Sequence, residues 1–266
     1  LAVTAWRRAQ GVDSGDALIS LEAHGREDQV LPGADLSRTV GWFTTIYPVR
    51  VDLRGIDVDD ALAGGEAAGA LIKSVKERLL GVPDHGIGYG MLRYLDSESR
   101  DRLAQFASPQ ISFNYLGRYG AGIPDDVQNI GWLPVNDDEI ADVQNQDLPV
   151  AAALDINAVT TTDDTDGAVL EATFAFPSGV LERADVERLS QLWVDALSSL
   201  ADHASRPSAG GFTPSDLELV ALDQNSIDDI ERRYPALTDI WSMSPLQSGM
   251  LFHAELSDQT VDAYIV

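Results

Sequence analysis

Two segments of alternating apolar and polar residues, followed by a long amphipathic helix, constrain the fold of this chain most strongly. The alternation occurs at 154–158 and again at 170–176, on either side of a polar turn at 160–167. Because successive side chains of a strand point to opposite faces, each segment predicts a half-buried strand, and the two predict an antiparallel pair. The helix predicted at 182–202 carries one continuous apolar stripe.

The remaining elements complete a mixed sheet with covering helices. Pro48 lacks an N–H for a strand ladder, so its strand is predicted to lie at an edge or to contain a bulge or a break. Asp57 or Asp59 is suited to cap a helix whose first turns are weakened by the Gly64-Gly65 pair. We expect an α+β fold, a two-layer α/β sandwich. The further predicted elements are strands at 17–21, 40–53 and 110–116, helices at 57–80 and 97–106, and a loop at 118–149.

Composition excludes several classes of function. The net charge of -25, from 43 acidic and 18 basic residues, repels nucleic acid and anionic lipid. The absence of cysteine rules out disulfides and thiolate metal sites, and fits a cytoplasmic location. No apolar run approaches the roughly 20 residues of a membrane span. The first residues resemble the inside of a helix, so we expect the chain to be a piece of a longer protein.

Glu22 and His24 are the first candidate site residues. On a strand that leads into LEAHGRE at 21–27, they share one face. A carboxylate and an imidazole on one face can exchange protons with a substrate. The alternative is an ordinary charged strand end at the surface.

Four motifs in order resemble the C-terminal half of an epimerization domain from a nonribosomal peptide synthetase, a member of the condensation-domain superfamily. They are LEAHGRE at 21–27, RTVGWFT at 38–44, HGIGYG at 85–90 and FNYLG at 113–117. The first departs from the family pattern only at Ala23, where Gly is usual. The resemblance implies one half of a chloramphenicol-acetyltransferase-like fold.

The resemblance also implies an activity and assigns catalytic residues. Such domains invert Cα, from L to D, of an aminoacyl or peptidyl group held as a thioester on a carrier protein. By position, Glu22 takes part in moving the α-proton, as acid, base or both. The family's partner is the second His of a His-His-x-x-x-Asp-Gly motif, which does not occur here. We therefore expect the chain alone to be inactive.

Further site residues follow from the other motifs. Tyr115 is a catalytic candidate and Asn114 a channel residue, although alternation on a strand would turn only one of them toward the channel unless a bulge intervenes. Trp42 is expected to be a core or lobe-interface aromatic. Arg26 and Tyr89 are supporting residues. His85 is predicted to lie in a loop, with no helix N-terminus clearly following the glycines.

The tail resembles the opening of a condensation domain, at 239–253. The resemblance divides the chain into an epimerization lobe at 1–205, a linker at 206–236 and the start of a condensation domain at 237–266. It implies a carrier protein with its 4'-phosphopantetheine arm, the N-terminal lobe and the downstream domain as partners, and no directly bound cofactor or metal. The alternatives are a condensation-domain lobe that forms peptide bonds and a non-catalytic module that docks a carrier protein.

Overall fold

The chain divides into two units, Leu1–Arg206 and Pro207–Val266, and each is described by itself. The computed structural model describes residues 1–12, 14–24, 26, 27, 30, 33–119, 149–163 and 167–256. Residues 120–148, which make up most of the predicted loop, lie outside this part.

A five-stranded mixed sheet organises the first unit. Its order is β2-β1-β3-β4-β5, with antiparallel pairs at both edges and parallel pairs between β1, β3 and β4. This confirms the predicted α+β class and mixed sheet. The strands are β1 (Asp16–His24), β2 (Thr44–Asp52), β3 (Ile111–Tyr119), β4 (Leu154–Asp163) and β5 (Gly167–Ala175).

The strand predictions hold with shifted ends. The strand predicted at 40–53 begins only at Thr44. Pro48 lies in the edge strand β2 and faces Ser20 within an uninterrupted register, so the edge reading is the right one. The hairpin of β4 and β5 extends further than predicted, since Asp163 still pairs with Gly167.

The helix predicted at 57–80 is two helices. The Asp57 side chain accepts hydrogen bonds from the N–H groups of Asp59 and Asp60 and caps the first. The break follows at Gly64, whose φ of +70° is a left-handed conformation that favours glycine. Among the described residues of the first unit, the α-helices are α1 (Ala2–Ala9), α2 (Val58–Leu62), α3 (Glu66–Leu80), α4 (Ile87–Tyr94), α5 (Ser97–Leu103) and α6 (Arg183–Ala204).

Apolar strand residues bury one face of the sheet against α1 and α6. Ala2 from α1 and Leu189 from α6 join the strand residues Ile111, Leu154 and Ile156 in one core cluster. The Trp6 indole N–H donates to the carbonyl of Asp185 at 3.0 Å and ties the two helices together. The buried apolar strand residues are Ala17, Tyr47, Val49, Ile111, Leu154, Ile156 and Ala158.

In the second unit, residues 207–256 are described and contain two α-helices, α7 (Gln224–Arg233) and α8 (Pro245–Leu256), and a 3-10 turn at Pro214–Asp216. The Asp223 carboxylate caps α7 by accepting from the Ser226 N–H at 2.8 Å. Most of α8 lies in the stretch at 239–253 that resembles the start of a condensation domain. Across the described residues of both units, every helix is too short or too polar to cross a bilayer.

One expectation about HGIGYG was wrong. A helix does follow the first glycine, because α4 begins at Ile87 directly after the 3-10 turn Pro83–Gly86. Asp84, His85 and Gly86 all have positive φ, at 45°, 50° and 82°. Gly86 packs so closely on the buried Tyr47 ring that a Cβ would overlap it. The glycine therefore serves the close approach of this turn to β2.

Replacing Gly86 with Ala should lower the free energy of unfolding by about 2–4 kcal/mol, because it combines a left-handed backbone strain with a steric overlap. The matched control is Gly88→Ala, two residues on, where a Cβ meets nothing within 4 Å. That control should be neutral or raise stability by up to about 1 kcal/mol. Urea unfolding followed by circular dichroism measures both, and equal effects of the two variants would contradict this role for Gly86.

Candidate active site

Polar residues from three neighbouring strands share the sheet face opposite the helices. Glu22 on β1 is in register with Asn114 on β3, which is in register with Asn157 on β4. Residues in register on neighbouring strands point to the same face. The next row back along the strands continues the polar character, with Ser20, Ser112 and Asp155.

The alternation of each strand separates this polar face from the core. In β1 the row between the two polar rows is Leu21, in register with Phe113. Phe113 is in turn in register with Ile156, which is buried in the core. Since this intervening row faces the helices, the rows on either side of it face away. A shift of one residue in the register of any of the three strands would break up this arrangement.

The Glu22 carboxyl on this face has a perturbed pKa. Its pKa is raised above the ordinary value of 4.5, first by partial burial and second by the negative charge of Asp155. Asp155 in turn accepts a hydrogen bond from the Asn157 amide, with 3.2 Å between Nδ2 and Oδ2. A raised pKa makes a carboxylate a stronger base and keeps its acid form to higher pH, so Glu22 is suited to accept and return a proton.

Asn114, rather than Tyr115, accompanies Glu22. Tyr115 is in register with the buried Ala158 and so belongs to the helix-side face. Its hydroxyl shares a hydrogen bond with the Thr160 hydroxyl at 2.9 Å. A bulge before Tyr115 would be needed to turn its side chain to the face of Glu22. The register of β3 with β4 instead shifts after Tyr115, between Tyr115 and Arg118. Tyr115 therefore lies on the face opposite to Glu22, and its catalytic role stays a prediction.

His24 ends β1, two residues after Glu22 and in register with Thr44. Its side chain lies outside the described part of the chain. Its assignment as a supporting residue therefore stays a prediction.

Arg26 makes two contacts with described residues. Its guanidinium donates to the carbonyl of Leu36 at 2.6 Å and lies 4.2 Å from the centre of the Phe43 ring. Neighbouring Trp42 is 92% exposed, so it is not a core aromatic in this chain. The alternative that Trp42 meets another lobe stays a prediction. The role of Arg26 as a supporting residue of the site stays a prediction.

Glu27 and His85 connect the first motif with the third. The Glu27 carboxylate contacts His85 Nδ1 at 3.0 Å. Burial and the nearby charge of Glu27 together raise the pKa of Tyr47. Tyr89 follows on α4, which packs against β2, and is half-buried. The first and third motifs thus meet around Tyr47, and the role of Tyr89 in a substrate channel stays a prediction.

Sequence reasoning missed Asp155 and Asn157 as members of the site. The signal was present, because both are the polar members of the alternating segment at 154–158. What was missing was the register that places β4 beside β3. Within the described part of the chain, no three His, Asp or Glu residues are grouped as metal ligands would be.

Replacing Asp155 with Asn should lower the Glu22 pKa toward 4.5 without reaching it, because burial, the larger cause, remains. The folded protein holds this proton more tightly than the unfolded chain does. The contribution of Glu22 to stability is therefore present below pH 4.5 and is lost as pH rises through the raised pKa; D155N should lessen that loss.

Carboxyl ¹³C NMR titration of Glu22 measures this shift directly. The control is Asp202→Asn, which removes one negative charge from an exposed position of α6. A Glu22 pKa that responds equally to both variants would show that Asp155 has no local effect.

The chain is similar in sequence to known proteins. The family model for the condensation domain matches residues 10–222. One protein of the linear gramicidin synthase of Brevibacillus parabrevis is 37% identical over 250 residues, covering 93% of this chain and 4% of that protein. A second protein of the same synthase is 36% identical over 240 residues, covering 89% of this chain and 3% of that protein. The chain thus spans a small part of these relatives.

A solved structure resembles the fold as well. The epimerization domain from the third module of tyrocidine synthetase B aligns with a TM-score of 0.56 and 27% identity. The alignment covers 77% of this chain and 40% of that one.

Proposed function

We propose that this chain, which belongs to the condensation-domain family, is part of an epimerization domain of a nonribosomal peptide synthetase. In this proposal residues 1–205 form its C-terminal lobe, 206–236 a linker, and 237–266 the start of a following condensation domain. The domain would convert the Cα of an aminoacyl or peptidyl thioester from L to D.

The observation that carries the proposal is the position of Glu22. It is a half-buried carboxylate with a raised pKa, beside Asn114, on the polar face of the sheet. Its motif and the FNYLG motif of Asn114 lie on adjacent parallel strands, so two segments far apart in sequence meet at one point. The likeness to a solved epimerization domain supports the same reading.

The chemistry needs two proton-transfer groups on opposite sides of Cα. The thioester makes the α-hydrogen acidic, and Glu22 would remove or return it from one side. Asn114 would orient the thioester or its enolate by donating from its amide. The resemblance assigns the opposite side to a His of the other lobe. The substrate would arrive on the 4'-phosphopantetheine arm of a carrier protein.

Peptide-bond formation is the second candidate function. The family model that matches most of the chain is that of the condensation domain, which favours it. The two functions differ in a measurable way, since only epimerization breaks the Cα–H bond.

Exchange of the α-hydrogen in D2O tests the proposal. Aminoacyl and peptidyl thioesters on a carrier protein are incubated with the chain, alone and with an N-terminal epimerization lobe supplied. We expect exchange only with both lobes. Glu22→Gln should lower its rate by about 10²–10⁴-fold, the usual contribution of one acid–base group.

Two variants control this experiment. Glu187→Gln, an exposed change on α6, should leave exchange unchanged. Tyr115→Phe should retain most of it, because Tyr115 belongs to the other face. Peptide-bond formation without exchange would favour the condensation alternative. Binding of carrier protein with neither reaction in the assembled lobes would leave a docking module.

A further inference from the structure

We propose that Asp155 and Asn157 bind the α-nitrogen of the thioester substrate, on the sheet face from which Glu22 reaches its Cα. This inference rests on the proposed function, since it adds a subsite for the same substrate. It assigns a role to β4, which contains none of the four motifs.

The spacing of the strands suits the two ends of the substrate's reacting group. Asp155 and Glu22 lie on strands separated by β3 alone and one polar row apart along those strands, hence about 12 Å apart at the backbone. A substrate between the two carboxylates would place its α-nitrogen in a hydrogen bond with Asp155 and its Cα–H bond within reach of Glu22. The distance from the Asp155 oxygen through the nitrogen and Cα to the Glu22 oxygen is then about 7 Å. The two side chains extend from the same face, and by leaning toward each other they close the difference between the backbone separation and this span.

The hydrogen bond between Asn157 and Asp155 prepares acceptors for that nitrogen. The Asn157 amide N–H donates to Oδ2 of Asp155, which leaves its own carbonyl oxygen to turn toward the substrate. Oδ1 of Asp155 offers a second acceptor. A group with several N–H donors matches this pair, and an ammonium matches it best because Asp155 is an anion.

The charges on this face favour a cationic ligand. Asp155 is close enough for its negative charge to affect Glu22, and both side chains are partly shielded from water. An ammonium between the two carboxylates would reduce their mutual repulsion. We therefore infer that the subsite prefers an aminoacyl thioester, whose α-nitrogen is a free ammonium, to a peptidyl thioester, whose α-nitrogen is an amide.

The test uses two probes that bind without reacting. They are alanyl pantetheine with an amide in place of the thioester, and its N-acetyl derivative. Alanine is chosen because its small side chain leaves the α-nitrogen as the main difference. NMR titration of the folded chain measures the affinity of each. The free amine should bind about tenfold more tightly than the N-acetyl probe, as a charged hydrogen bond predicts.

Three variants make the test specific to Asp155. Asp155→Asn keeps the shape but removes the charge, and should bring the ratio of the two affinities close to one. Asp202→Asn should keep the tenfold ratio. Asn157→Ala should weaken both probes. Circular dichroism shows that each variant is folded.

Equal affinity for the two probes in the unmodified chain, no binding of either, or an unchanged ratio in D155N would each overturn the inference. These outcomes are separate from failure of the proposed function, because neither probe is turned over. If the ratio of the two probe affinities depends on Asp155 but the assembled lobes catalyse no α-hydrogen exchange, the nitrogen subsite is supported and the epimerase proposal fails. If α-hydrogen exchange depends on Glu22 but the two probes bind equally, the epimerase proposal is supported and the nitrogen subsite is overturned.

Discussion

The parallel register of β1, β3 and β4 is the constraint on which the site depends. Three residues that are far apart in sequence, Glu22, Asn114 and Asn157, come into one row because each strand is held to its neighbour by backbone hydrogen bonds. The register is in turn fixed by burial. The intervening row, which contains Leu21 and Ile156, faces the helices, and a slip of one residue would exchange the two faces.

Much of the fold follows from the sequence, because its signals are local. Alternation predicted the β4–β5 hairpin, and an apolar stripe predicted α6. Asp57 and Asp59 were both recognisable as candidate helix caps, and Asp57 is the one that caps α2. The break between α2 and α3 was harder to predict, because a Gly pair lowers helix stability but does not by itself show that the helix ends there. The left-handed Gly64 decides that point.

The site was less predictable because it is made by long-range pairing. Motif resemblance identified Glu22 and Asn114, and alternation showed that Asn114 and Tyr115 cannot share a face without a bulge. Only the register shows that the irregularity comes after Tyr115, too late to bring it to Glu22. Asp155 was missed for the same reason: no local pattern states which strand lies beside β3.

Other residues of the first and third motifs make contacts beyond the end of β1. Arg26 donates to the Leu36 carbonyl and lies over the Phe43 ring. Glu27 contacts His85, in the turn where Gly86 packs against Tyr47. These contacts join residues 26 and 27 to other described parts of the chain.

The most direct test of the register is disulfide cross-linking, which is clean because the chain has no cysteine of its own. Neighbouring strands bring in-register Cα atoms to about 5 Å, within the range that a disulfide spans. Glu22→Cys combined with Asn114→Cys should oxidise readily to a cross-linked product, whereas Glu22→Cys combined with Tyr115→Cys should not. Efficient cross-linking of the second pair instead of the first would contradict the placement of Glu22 beside Asn114, and with it the proposed site.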